Sequence, residues 1–168
     1  MTASFVIQSL APEHDRLAFS CGVDALDRYL QNQASQDVRR HISNCFVASP
    51  VESAAIAGYY MLAAASVPVL DLPEAETKRL PRYPVLPTAL IGRLAVDRQY
   101  RRRNLGGALL FDAIQRAARA EPAVFAMIVD AKDEDAAAFY QHFGFMPFAN
   151  RPMSLFLPVA TAMKLLKI

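Results

Sequence analysis

The stretch Leu94–Leu110, "LAVDRQYRRRNLGGALL", carries the residues best placed for chemistry: three consecutive arginines, an asparagine, and the pair Gly106–Gly107. A strand, a short loop and a helix are expected here in that order. The first N–H groups of a helix have no intrahelical acceptor, and the macrodipole is positive at that end. A phosphate fits such a place, and glycine lets it come close to the backbone. The spacing is neither G-x-x-x-x-G-K-[ST] nor G-x-G-x-x-G. The arginines could equally form a nucleic-acid patch, so residue types alone leave both uses open. Three further positions invite a role. Tyr140 sits beside Phe139 and Phe143, as a core ring or as a proton donor. Asp133 lies just ahead of an expected helix, where it suits the N-cap. Arg93 interrupts an apolar strand, where its charge needs either a buried ion partner or a ligand.

Charge is informative by place rather than by sum. The 168-residue chain has a formal charge of only +2. Yet Lys78, Arg79, Arg82, Arg93, Arg98, Arg101, Arg102 and Arg103 fall within one segment, with Asp97 as its one acid. Such a surplus makes either a positive surface or a solvated loop face. The two cysteines, Cys21 and Cys45, have no metal-ligand spacing and suit core positions in a reduced, cytoplasmic protein. His14, His41 and His142 show no metal or triad spacing and are assigned surface or packing roles. The N-terminus, "MTASFVIQSL", lacks a basic n-region and is not expected to be a signal peptide. Ser53–Leu70 is uncharged and nearly of spanning length, but Gly58, Ser66 and Pro68 within it favour buried strand over membrane helix.

The elements that must position these residues follow from periodicity. Strands are expected at residues 4–9, 45–49, 54–66, 88–96, 123–131 and 154–159. Helices are expected at 24–36, with Asp24 as cap, after the arginines, and at 134–143, ended by Gly144. In the helix after the arginines, Leu110, Ala113, Ile114, Ala117 and Ala118 form one stripe, opposed by Asp112, Gln115, Arg116 and Arg119. The proline-rich stretch 67–88 is expected to be irregular, with at most a short helix at 74–80. Alternating strands and helices in the second half predict an α/β fold with a mixed sheet in a single domain over 1–168.

With these residues in view, "LAVDRQYRRRNLGGALL" resembles the acetyl-CoA-binding motif Q/R-x-x-G-x-G/A of the GNAT-type N-acetyltransferases. Arg101 takes the first place and Gly106 the last. Asn104 replaces the middle glycine, and Asn is the non-Gly residue most willing to adopt positive φ. "DEDAAAFYQHFGF" is similar to the family's penultimate helix. "HDRLAFSCGVDALDRYL", "IAGYYMLAAASV" and "LIGRLAVD" extend the likeness over nearly the whole chain. They point to the branch that contains toxins of bacterial toxin–antitoxin pairs, which acetylate aminoacyl-tRNA.

That resemblance implies a GNAT fold, a mixed sheet flanked by helices, and acetyl-CoA as cosubstrate without a metal. The pyrophosphate would be held by the backbone of Arg101, Arg102, Arg103, Asn104, Leu105, Gly106, Gly107 and Ala108. Leu94, Ala95 and Val96 would pair with the pantetheine arm like an added strand, and Asp133 stands where the family often reaches the same arm. A backbone N–H near Val96 would polarise the thioester carbonyl. Tyr140 takes the general-acid position. Arg93 is the candidate for contact with the tRNA acceptor end, and Arg39, Arg40, Arg79 and Arg82 are candidates for phosphate contacts. The implied partners are aminoacyl-tRNA and a ribbon–helix–helix antitoxin, with a homodimer as a further arrangement and no membrane. Two other readings stay open: an acetyltransferase of a small-molecule or peptide amine, and a protein that binds acetyl-CoA or an antitoxin without catalysis.

Overall fold

The computed structural model describes residues 4–167, so the first three residues of the N-terminal stretch and Ile168 lie outside the described residues. Its strands are β1 (Phe5–Ser9), β2 (Asn44–Pro50), β3 (Gly58–Pro68), β4 (Val85–Val96), β5 (Ala126–Asp130), β6 (Met146–Pro147) and β7 (Ser154–Pro158). Its helices are α1 (Asp24–Asn32), α2 (Ala34–Arg39), α3 (Glu74–Thr77), α4 (Leu105–Ala118), α5 (Glu134–His142) and α6 (Val159–Leu166). The strands make one seven-stranded mixed sheet in the order β1-β2-β3-β4-β5-β7-β6. Strands β1, β2 and β3 are antiparallel neighbours. Strand β5 pairs parallel with β4 and antiparallel with β7. A parallel neighbour needs a long crossover, and α4 supplies it.

The chain divides into two compact units. The first runs from the described N-terminus to Ala63 and adds Gly92–Ala113. Its core gathers Phe19, Leu30, Val47, Tyr59, Met61 and Ala95. Gly58 is required there by close approach: a Cβ would lie 2.8 Å from Leu109 Cδ1 and 3.0 Å from the Ala95 carbonyl oxygen. The second unit holds Ala64–Ile91 and the chain from Ile114 onward. Its core includes Val67, Leu72, Leu86, Phe148 and Phe156.

Several boundaries differ from expectation, each for a local reason. The helix expected over 24–36 is two helices, because Gln33 leaves helical geometry at φ −121°, ψ −33°. Asp24 is not a cap: Val23 holds that position without a side-chain bond, and Asp24 instead pairs with Arg28 one turn on. Strand β3 begins at Gly58 rather than 54; before it, Ala55 makes only an isolated bridge to Asp15. Strand β4 starts three residues early, at Val85, although Pro87 lies within it. Pro87 has no N–H to offer, but its carbonyl accepts from Phe125 N–H at 2.8 Å. In the proline-rich stretch the short helix stops at Thr77 rather than 80. Helix α6 and the two-residue strand β6 were not expected. Pro158 ends β7 and caps α6, whose Val159 and Ala162 are buried.

Candidate active site

The cofactor-binding candidates other than Asp133 lie on one continuous path in the first unit. Strand β4 ends at Leu94, Ala95 and Val96, of which Ala95 is buried and the others half-buried. Asp97, 7 % exposed, then turns the chain. Its Oδ1 accepts from Gln99 N–H at 2.9 Å and its Oδ2 from Ser20 N–H at 2.9 Å. Its own N–H donates to the Ala57 carbonyl at 2.8 Å. One carboxylate therefore fastens the strand end to two other segments and starts the 3-10 turn Arg98–Tyr100. In the sequence Asp97 stands out only as the lone acid among bases. An acid followed two residues later by a free N–H was the available signal.

Residues Arg101–Asn104 form an exposed loop. Arg102 and Asn104 have positive φ, 63° and 58°. Asn104 thus adopts the backbone that its replacement of glycine demands. Arg101 is extended, and the left-handed residues at 102 and 104 then turn the backbone sharply into the helix. The Asn104 carbonyl accepts from Ala108 N–H at 3.1 Å, closing the first turn of α4. The N–H groups of Leu105, Gly106 and Gly107 therefore lie in the turn that has no intrahelical acceptor. Gly106 and Gly107 are half-buried, and Leu105, Leu109, Leu110, Ala113 and Ile114 anchor the helix by a buried stripe. Tyr60 Oη donates to Asp112 Oδ2 at 2.5 Å and adds a polar tie. The geometry fits a pyrophosphate: positive backbone, small residues, and a helix held rigidly behind them.

The three arginines do not share one role. Arg101 Nη2 donates to the Cys21 carbonyl at 2.5 Å, and Arg101 and Arg98 both pack on Gly22, which stands at φ +92°. Arg103 lies 5.5 Å over the Tyr100 ring, and Tyr100 in turn meets Phe5 edge-on. Arg101 is thereby a structural brace as well as a motif residue.

Arg93 departs from expectation. It is exposed on β4, so neither a buried ion pair nor burial itself explains it. Its guanidinium carbon stands 3.5 Å from the centre of the Tyr29 ring. Tyr29 falls within the helix expected over 24–36, and nothing in the spacing distinguishes a platform ring from a core ring. Arg39 and Arg40 are exposed at the end of α2.

Tyr140, Asp133, Arg79 and Arg82 belong to the second unit. Tyr140 lies on α5 and is 8 % exposed, edge-on to Phe139 and tilted against Phe145. Burial pushes its phenol up to about 12. It therefore holds its proton at neutral pH. Asp133 is the N-cap of α5, with Oδ1 accepting from Ala136 N–H at 2.8 Å. Arg79 and Arg82 are exposed in the proline-rich stretch. The histidines divide: His14 is buried and accepts at Nδ1 from Ala11 N–H, while His41 and His142 are exposed. Both cysteines are free and buried, and burial pushes the Cys45 thiol up to about 12. No helix among the described residues is long and apolar enough to cross a membrane.

Known proteins resemble this chain over almost its full length. It is 37 % identical over 154 residues to a tRNA-acetylating toxin of Mycobacterium tuberculosis, covering 90 % of each chain. It is 29 % identical over 174 residues to a probable toxin TacT of Sinorhizobium fredii, covering 98 % of this chain and 96 % of the relative. Among solved structures, AtaT complexed with acetyl-methionyl-tRNAfMet superposes with a TM-score of 0.90 at 26 % identity, covering 98 % of this chain and all of the other. AtaTR bound with acetyl-CoA gives 0.83 at 25 % identity, with 96 % and 98 % covered. The acetyltransferase (GNAT) domain model matches residues 42–147, which include both the loop and Tyr140, and the chain belongs to that family of acetyltransferases.

Proposed function

We propose that the protein is an acetyl-CoA-dependent N-acetyltransferase that acetylates the α-amine of aminoacyl-tRNA and so blocks translation, as the toxin of a toxin–antitoxin pair. The observation that carries this reading is the full-length likeness to a tRNA-acetylating toxin, joined to a glycine-bearing helix start that suits a pyrophosphate. The domain spans 1–168, works in the cytoplasm, and is held in check by an antitoxin, of ribbon–helix–helix type by family analogy. It acts as a homodimer.

Acetyl-CoA supplies the acetyl thioester. Backbone N–H groups at residues 101–108 hold its pyrophosphate, and Leu94, Ala95 and Val96 align its pantetheine arm through strand-like pairing. The N–H near Val96 polarises the carbonyl. An α-amino group has a pKa of about 8, so a useful fraction is neutral at pH 7 and no strong base is needed. Tyr140 Oη carries the proton that the departing sulfur takes. The proton lost by the amine restores the phenol, so the balance is one proton off nitrogen and one onto sulfur. Asp133, already occupied as a cap, orders the first turn of the helix that carries Tyr140.

The test is direct. A charged tRNA pool is incubated with labelled acetyl-CoA and digested, and the acetylated aminoacyl adenosines are identified. One or a few amino acids should dominate. Label on a polyamine or peptide, with none on aminoacyl adenosine, would replace this substrate by a small amine and leave the acetyltransferase assignment intact.

A further inference from the structure

Arg93 has an arrangement that the family likeness does not account for. No hydrogen bond or ion pair engages its guanidinium among the described residues, yet the group is held 3.5 Å from the Tyr29 ring centre. At that distance the cation rests on the ring face. A guanidinium that gives its face to a ring keeps its in-plane N–H groups free for an oxyanion.

The platform is itself fixed. Tyr29 is 7 % exposed and packs in the core of the first unit. Its hydroxyl donates to Asp37 Oδ2, and Gln33 Nε2 donates to Asp37 Oδ1 at 3.1 Å. The break at Gln33 places α1 and α2 so that these bonds form. The hydrogen bond from Tyr29, then that from Gln33, holds the Asp37 carboxyl below its usual range, so it is ionised at neutral pH. A phenol that donates to an anion carries more electron density on its ring, which strengthens its hold on a cation. Arg93 also stands immediately before Leu94–Val96, the segment assigned to the pantetheine arm.

We propose that Tyr29, braced by Asp37, is a positioning residue that presents the Arg93 fork to a phosphate oxygen at the acceptor end of aminoacyl-tRNA. This rests on the substrate reading above. The cofactor is the other source of phosphate, and the experiment separates the two.

Steady-state kinetics of the full chain are measured with one charged tRNA, varying tRNA and acetyl-CoA in turn and repeating at several salt concentrations. Arg93→Ala should raise KM for aminoacyl-tRNA about tenfold with kcat little changed, and the salt slope should fall by about one. Tyr29→Leu should do the same, and the double variant should be no worse than either single one, since both remove one device. Tyr29→Phe keeps the ring and loses the link to Asp37, so its KM should lie between; it also serves if Tyr29→Leu does not fold. Arg93→Lys, which keeps charge but not the planar fork, should not restore KM. Additive losses, full activity in Arg93→Lys, or an unchanged salt slope in Tyr29→Leu would overturn the proposal. So would a rise in KM for acetyl-CoA alone, which would give Arg93 to the cofactor. Failure of the wild-type chain to acetylate any aminoacyl-tRNA would overturn this proposal and the substrate reading together, whereas the other outcomes leave that reading standing.

Discussion

Tyr140 is the proposed general acid, and its surroundings set what it can do. Burial among Phe139 and Phe145 raises its pKa to about 12, so it is a phenol, not a phenolate, at working pH. Tyr140→Phe keeps the ring and removes one oxygen. It should lower kcat by about a hundredfold or more, the scale of a lost general acid, while acetyl-CoA affinity stays nearly unchanged. Equal turnover in the two proteins would hand the proton to water. The same burial has a consequence for stability. A phenol whose folded pKa lies above its unfolded value of 10.0 keeps its proton longer in the native state. Its burial is therefore tolerated below pH 10, and stability falls as pH rises from about 10 toward 12. Burial acts in the same direction on Tyr29 and Tyr59. Denaturant melts between pH 8 and 11.5 should show a steep alkaline loss that is shallower in Tyr140→Phe. An unchanged slope would mean that the Tyr140 phenol titrates alike in the folded and unfolded chain.

At the scale of the element, the loop and start of α4 form the proposed cofactor site. The order strand, arginine-led loop, glycine pair and amphipathic helix was legible because each part has a local signature: apolar run, φ-tolerant residues, stripe. Asn104 stands where the motif has a glycine, and its φ of 58° shows how the loop does without one there. What the sequence hid were contacts between segments far apart along the chain. Nothing near Asp97 says that its carboxylate will take the Ser20 N–H, and nothing near Tyr29 says that an arginine more than sixty positions away will rest on its ring. The helix α6 was hidden for another reason: eight residues starting after a proline give too few turns for periodicity to show. A prediction belongs to this scale. Acetyl-CoA should raise the melting temperature in a concentration-dependent way, and Gly106→Glu, which sets an anion where the phosphate is proposed, should abolish the rise. A variant that folds and responds fully would remove the loop from the site. Gly58→Val should act differently, lowering stability through its clash with Leu109 and the Ala95 carbonyl before any ligand is added.

For the whole molecule, the question is how a chain of charge +2 could hold a polyanion. The net value conceals a distribution: Arg39, Arg40 and Arg93 are exposed in the first unit, and Arg79 and Arg82 in the second. If these meet tRNA phosphates, removing a charge should act through released counterions, each contact contributing about 0.7 to 0.9 to the salt slope. Arg79→Gln with Arg82→Gln should therefore weaken aminoacyl-tRNA acetylation most at low salt and reduce the slope by between one and two. Acetylation of a small free amine, and the shift in melting temperature with acetyl-CoA, should hardly move. The amino-acid preference should also survive, because phosphate contacts are common to all tRNAs and carry no information about the side chain. In cells the two kinds of loss should separate. Expression without an antitoxin should arrest growth; Tyr140→Phe should relieve the arrest fully, and the arginine pair only in part. Full relief by the arginine pair together with an unchanged salt slope would show that these cations support the fold or a protein partner rather than RNA.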